Sequence, residues 1–268
     1  MLTPVTKQGI ISGLKGLGLT RGAAVLVHSS LSSFGYVEGG ADAVIDALLE
    51  VVGSQGTVLV PTLTGSEALS ADNPPVFDPL HTPCWTGTIP ETFRRRTGAV
   101  RSHHPTHSVA AIGAQAQELT AGHETCITPC GPNSPYGRIA NAGGFILLIG
   151  VGHESNTTFH LVEEIVGVPY HMQPGFVAAQ VVQEGQSRTI HTMIHRYGYQ
   201  RCFERMEPVL QERDIQRETV IGQADIRLVE AQSMVTITCQ ALRQDPNILL
   251  AESICHCSAA QCQKATPT

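Results

Sequence analysis

The chain is short of charge. Of its 268 residues, 17 are Lys or Arg and 23 are Asp or Glu, so charged side chains make up 15%. An average soluble protein carries about 25%. Aromatics are scarce too, at 5% with a single Trp. Low charge beside 42% apolar residues excludes a disordered chain, which could not bury enough apolar surface to fold. A net charge of −6 and the lack of any basic stripe exclude a general nucleic-acid binder. No apolar run approaches the ~18 residues of a membrane span. The longest run, around Phe145–Val151, is strand-sized. Met1 to Ile10 has no basic segment leading into an apolar one, so a secretory signal is not expected and a cytoplasmic protein is.

Gly (26) and Pro (16) are plentiful, above the roughly 12% usual for the pair. They point to a compact protein with many turns. Eight cysteines without an export signal read as thiols rather than disulfides. Cys255, Cys257 and Cys262, with His256 between them, form C-H-C-x4-C. That is either half of a zinc site or a tail rich in small residues, since four-ligand zinc sites normally come as spaced pairs.

Hydrophobic spacing predicts an α/β fold. Ile10, Ile11, Leu14 and Leu17 fall on one face of a helix over 7–17, and Val44, Ile45, Leu48 and Leu49 on one over 41–52. Strands are expected at 23–27, 57–60, 109–112 and 145–151, and helices at 90–96, 114–121 and from Thr157 or Thr158 to Val166. This alternation indicates a largely parallel central sheet flanked by helices. Residues 176–182 and 188–194 flank Glu184-Gly185-Gln186 as a hairpin, and helices follow near 204–212 and 232–243. The C-terminal part is therefore expected to be more antiparallel. Residues 63–85 are proline-rich and aperiodic, a long loop of the kind that is usually functional.

Three polar clusters follow strands, where α/β sheets bind ligands. His28-Ser29-Ser30-Leu31-Ser32-Ser33 could cradle a phosphate, although no G-K-[ST] is present. Arg101-Ser102-His103-His104-Pro105-Thr106-His107-Ser108 offers either a metal site or an anion site. The metal reading is the weaker one, because no carboxylate or Cys accompanies the histidines. It would make the chain a metal-dependent hydrolase or a zinc-stabilised module using His104, His107 and the tail. His160 and Glu163 stand three residues apart on one helix face. A carboxylate there can hold one imidazole nitrogen and leave the other as a base.

Six stretches in one order carry a family resemblance: VHSSLSSFG, GTVLVPT, FDPLHTPCWTGTIPETFRR, RSHHPTHSVAAIG, PCGPNSPYGRI and ILLIGVGHESNTTFHLVEE. Together they resemble the aminoglycoside 3-N-acetyltransferases, also called antibiotic N-acetyltransferases. The likeness runs from about residue 23 to 170 and more weakly to about 250. It implies one acetyltransferase domain over 1–268, with a core of about 1–170, a variable substrate-side region of 171–250 and a tail of 251–268. It also implies the antibiotic N-acetyltransferase fold, which is distinct from the common N-acetyltransferase fold. The implied reaction is acetyl transfer from acetyl-CoA to the 3-amino group of a 2-deoxystreptamine aminoglycoside through a ternary complex, which confers resistance. A non-antibiotic amine is the alternative acceptor.

On that resemblance His160 is the general base, Glu163 orients it, and His28 lies near the thioester. Ser29, Ser30, Leu31, Ser32, Arg101, Thr106, His107, Ser108 and Thr157 would hold acetyl-CoA. A polycationic substrate calls for an acidic cleft, with Glu67, Asp72, Asp78 and Glu91 as candidates. Glu91 could instead support its own helix N-terminus. No metal is expected, and the protein is expected to be a monomer or homodimer without nucleic-acid or membrane partners.

Overall fold

The computed structural model describes residues 4–251. The C-H-C-x4-C tail lies outside the described residues. In chain order the elements are α1 (Lys7–Leu17), β1 (Ala24–Ser29), α2 (Gly40–Val52), β2 (Thr57–Pro61), β3 (Val76–Phe77), α3 (Thr88–Phe93), β4 (Val100–Arg101) and β5 (Val109–Gly113). They continue with α4 (Ala116–Thr120), α5 (Pro135–Asn141), β6 (Phe145–Ile149), α6 (Thr158–Val166), β7 (Val177–Gln183) and β8 (Gln186–Thr192). The last are α7 (Glu207–Glu212), β9 (Gln216–Ile221), β10 (Ala224–Glu230) and α8 (Ala231–Gln244).

Seven strands form one sheet in the order β4-β5-β2-β1-β6-β10-β9. The central three run parallel, with Leu26 opposite both Leu59 and Ile146. Antiparallel pairing flanks them on both sides, β5 on β2 and β10 on β6. The outermost strands, β4 and β9, reverse again, so five of the seven point the same way.

Successive residues of β1 serve opposite faces, as strand geometry requires. Val25 and Val27 pack towards α1 and α2, against Ile11, Leu14, Val44 and Leu48. Ala24 and Leu26 pack into the other layer with Tyr136 of α5, Phe159 and Val162 of α6, and Met234 of α8. Burial on both faces is why these strands read as continuous apolar runs rather than alternations.

The expected 176–194 hairpin is present as β7 and β8, but it stays out of the main sheet. It joins β3 in a separate three-stranded sheet. The antiparallel C-terminal part of the main sheet is a second hairpin, β9–β10, which the hydrophobic pattern did not reveal. Its outer strand, Gln216-Arg-Glu-Thr-Val-Ile, buries only its two ends. Helix α5 was also missed, although Ser134 caps it and Pro135 opens it, a favoured pair at a helix start.

Candidate active site

The carboxyl ends of β1, β2 and β6 meet at one edge of the sheet. A cavity of about 390 Å³ opens there. His28 and Ser29 reach it from the end of β1, Pro61 and Leu63 from the end of β2, and Asn156, Thr157 and His160 from the entry to α6. Trp85, Thr86 and Gly87 close another side from the long loop. That loop is fixed by Trp85 Nε1 donating to Gly65 O at 2.9 Å and by Thr86 Oγ1 donating to Pro61 O at 2.7 Å.

A second hollow of about 530 Å³ adjoins the first, with Ser29 and Gly87 common to both. Ser30, Leu31 and Ser32 wall it, with Gly40 at the start of α2. The turn after β6 packs tightly on this loop. Gly150 has φ +60°, and a Cβ there would lie 1.6 Å from Ser33 Oγ, so only glycine fits.

His160 is 24% exposed and lines the cavity. Its Nδ1 lies 2.6 Å from Glu163 Oε2. Glu163 is fully buried and accepts two further contacts, His171 Nδ1 at 2.9 Å and Arg201 Nε at 3.1 Å. Burial alone would raise the Glu163 carboxyl, but His160 and His171 outweigh it and hold it far below the usual range. Burial lowers His160, and Glu163 opposes this only in part, so the ring stays neutral at physiological pH. With Nδ1–H given to Glu163, Nε2 keeps the free lone pair. His171 titrates the other way. Burial lowers it, but Glu163 and Glu164 together raise it above its ordinary value.

Two polar atoms on the cavity wall, His28 Nε2 and Ser29 Oγ, are buried without a hydrogen-bond partner among the described residues. Such groups are costly unless a ligand satisfies them. Burial pushes His28 down to about 3, so it meets a ligand as a neutral imidazole.

Other expected site residues are placed elsewhere. Arg101 lines neither hollow. Its buried guanidinium donates to Thr62 Oγ1 and O, Ser108 Oγ, Pro79 O and Thr82 O, and it stacks on Phe77. It ties the long loop to the sheet. Replacing Arg101 with Ala should lower stability by at least about 2 kcal/mol while leaving the KM for acetyl-CoA near normal. Urea unfolding and initial rates check this together.

Ser108 donates to Thr62 O at 2.7 Å, and Thr106 Oγ1 lies 2.9 Å from His107 Nδ1. His107 is buried against His195. None of these three lines either hollow. His104, weighed as a metal ligand, is a structural pin. Its Nδ1 accepts the Thr106 and His107 amides, and its Nε2 faces Thr192 Oγ1 at 3.2 Å.

The acidic candidates divide. Asp78 caps its own turn, accepting from the amides of Leu80 and His81. Glu91 pairs with Arg94 and Arg95 and accepts the Cys84 amide. Burial would raise its carboxyl, but Arg94 and Cys84 outweigh it and bring it to about 2. Both carboxylates are already partnered within the chain. Glu67 and Asp72 are exposed on the long loop and line neither hollow. The carboxylate that does line the cavity is Glu154. Glu204 accepts its amide at 2.6 Å and is raised to about 7 by burial and by Glu154.

The buried histidines set an acid limit on the fold. His28 and His123 are held neutral inside, at about 3 and about 4, but titrate near 6.5 once unfolded. The unfolded state therefore binds more protons below pH 6.5, and stability is lost as pH falls. The unfolding free energy from urea titrations should drop between pH 7 and pH 5, by about 2 kcal/mol for each such histidine.

A family model for aminoglycoside 3-N-acetyltransferases matches residues 26–243. Aminoglycoside N(3)-acetyltransferase IV of Salmonella sp is 33% identical over 246 residues, covering 91% of this chain and 90% of the relative. A crystal structure of aminoglycoside acetyltransferase AAC(3)-IVa with one histidine replaced by alanine, in complex with a gentamicin, superposes with a TM-score of 0.80. It is 31% identical and covers 97% of this chain and 96% of its own. AAC-IIIb bound to CoASH has a TM-score of 0.76 at 25% identity, covering 90% of this chain and 97% of its own. The chain belongs to the aminoglycoside 3-N-acetyltransferase family.

Proposed function

We infer that this chain transfers the acetyl group of acetyl-CoA to the 3-amino group of a 2-deoxystreptamine aminoglycoside, with both substrates bound together. One observation carries the reading. His160 has one nitrogen held by a buried carboxylate and sits in a cavity that joins a second, serine-walled hollow.

An aminoglycoside ammonium is no nucleophile until it loses a proton, so a neutral base is required. His160 Nε2 takes that proton as the amine nitrogen attacks the thioester carbonyl carbon. Glu163 stabilises the imidazolium that forms. The carbonyl oxygen gains negative charge, and the N-terminus of α6 at Asn156 and Thr157, with Ser29 Oγ, lies where donors are needed. Collapse of the tetrahedral species breaks the C–S bond, and the CoA sulfur leaves and takes up a proton. Ser29 to Ser32 and the start of α2 are suited to the phosphate-bearing arm of CoA. Among the described residues Glu154 is the carboxylate of the cavity wall, and it supplies negative charge for an amine substrate.

That thin acidic lining favours a second reading, acetyl transfer to a less highly charged, non-antibiotic amine. Mass-spectrometric detection of N-acetyl product across a panel of aminoglycosides and simple amines separates the two. Acetylation of gentamicin- or neomycin-type substrates is expected. Product only from other amines would support the second reading. No product from any amine would sink both.

A further inference from the structure

The interior behind His160 holds more imidazole than acetyl transfer uses. His171 and His195 are buried and line no part of the cavity. Their ring centroids lie 5.0 and 4.8 Å from that of His160, and 4.1 Å from each other. We propose that His160, His171 and His195 form a binding site for a divalent transition-metal ion of the zinc type, and that its occupation removes the general base from the reaction. The inhibitory half rests on the reading of His160 as base; the site itself does not.

One ligand nitrogen from each ring lies within 4.8 Å of those of the other two. Tetrahedral zinc with Zn–N bonds of ~2.0–2.1 Å needs nitrogens about 3.4 Å apart, so the nitrogens close in by up to about 1.4 Å. The surroundings resemble the outer shell of a metal site. Ligating histidines usually give their second N–H to a carboxylate, which fixes the ring and leaves the other nitrogen for the ion. Glu163 Oε2 does this for His160, 2.6 Å from its Nδ1, and lies 2.9 Å from His171 Nδ1, which also faces Arg201 Nη2 at 3.2 Å. The opposite nitrogen of His171, Nε2, is buried with no hydrogen-bond partner among the described residues.

Glu164 brings a second carboxylate, with Oε1 2.9 Å from His195 Nε2 and 3.6 Å from His171 Nε2. These two carboxylates direct negative charge at the pocket, part of it already matched by Arg201 on Glu163. Three imidazoles suit zinc, copper or nickel over magnesium or calcium. The cavity lined by His160 is an entry path, and it leaves a fourth coordination position open. A second cluster, His107, Cys130 and His195, has similar spacing, but none of its members lines the cavity.

Cobalt(II) titration of the chelator-treated full chain tests the site. One equivalent should give the visible bands of tetrahedral cobalt without a thiolate-to-cobalt band. His171→Asn and His195→Asn should each weaken binding by more than about tenfold, and Glu163→Gln by about 10- to 100-fold. A thiolate band at the first equivalent would place the ion on cysteine and overturn the proposal. So would unchanged affinity in both histidine variants. X-ray absorption at the zinc edge of the unmodified protein needs no variant; three imidazoles without sulfur are expected, and any sulfur ligand overturns the site.

For inhibition, N-acetyl product is followed by mass, because free CoA thiol itself binds zinc. Product formation should stop as the site fills and return with chelator. Continued product at full occupancy overturns the inhibitory claim. Metal-free protein inactive on every amine would instead overturn the proposed function, leaving the spectroscopic result to decide the site.

Discussion

His160→Ala is expected to lower turnover by roughly 100- to 10,000-fold, the range general-base catalysis contributes, with the Kd for CoA unchanged. The split follows from the geometry. His160 borders the cavity, whereas the adjoining hollow is walled by Ser29 to Ser32 without it. Product formation measured with CoA affinity by calorimetry checks both halves. A variant turning over at the original rate would remove His160 from the mechanism. A residual rate that rises steeply with pH fits the same picture, because free amine becomes more abundant without a base to produce it.

The second large effect is on stability. Glu163→Ala should destabilise the fold by about 3–5 kcal/mol, the usual loss when one partner of a buried ion pair is removed. Arg201 and His171 would be left facing an empty pocket. The sign with pH is fixed. The Glu163 carboxyl is held well below its ordinary 4.5, so its contribution is complete above about pH 4.5 and lost as pH falls further. Above that point the gap between variant and original should persist, narrowing as pH rises through the titration of His171, which Glu163 helps to raise; below it the two curves should converge. Parallel curves down to strong acid would mean that Glu163 is not ionised in the fold. Glu163→Gln keeps the volume, and its smaller loss separates packing from charge.

The sequence showed the scaffold better than the site's depth. Strands β1, β2 and β6 and helices α1, α2 and α6 were readable because both faces of the strands and one stripe of each helix are apolar. His160 and Glu163 were readable because they lie three apart on one helix. His171, His195 and Arg201 were not. No local pattern marks them, and they reach Glu163 and Glu164 only through the fold.

Arg101 misled for the opposite reason. An arginine in a polar cluster after a strand has the composition of an anion site. Whether its guanidinium faces solvent or five protein acceptors depends on where residues 62–82 come to rest. Asp78 misled similarly, since a carboxylate in a loop reads as free until its neighbours are known; Glu91, in the first turn of α3, is taken up by Arg94 and Arg95. Glu154 was passed over within a quoted motif.

The place of β10 in the sheet bears on the order in which a ribosome makes this protein. β10 covers the open edge of β6, Leu228 against Leu147, and α8 delivers Met234 and Leu242 to the layer that supports α6. A nascent chain that has just produced His160 therefore has no completed sheet to hold it, and Arg201 and Phe203 are still to come. Pairings that span so much sequence form late and expose apolar edges meanwhile. A premature stop between residues 204 and 224 would leave a chain with the site's side chains and neither β10 nor α8 to assemble them.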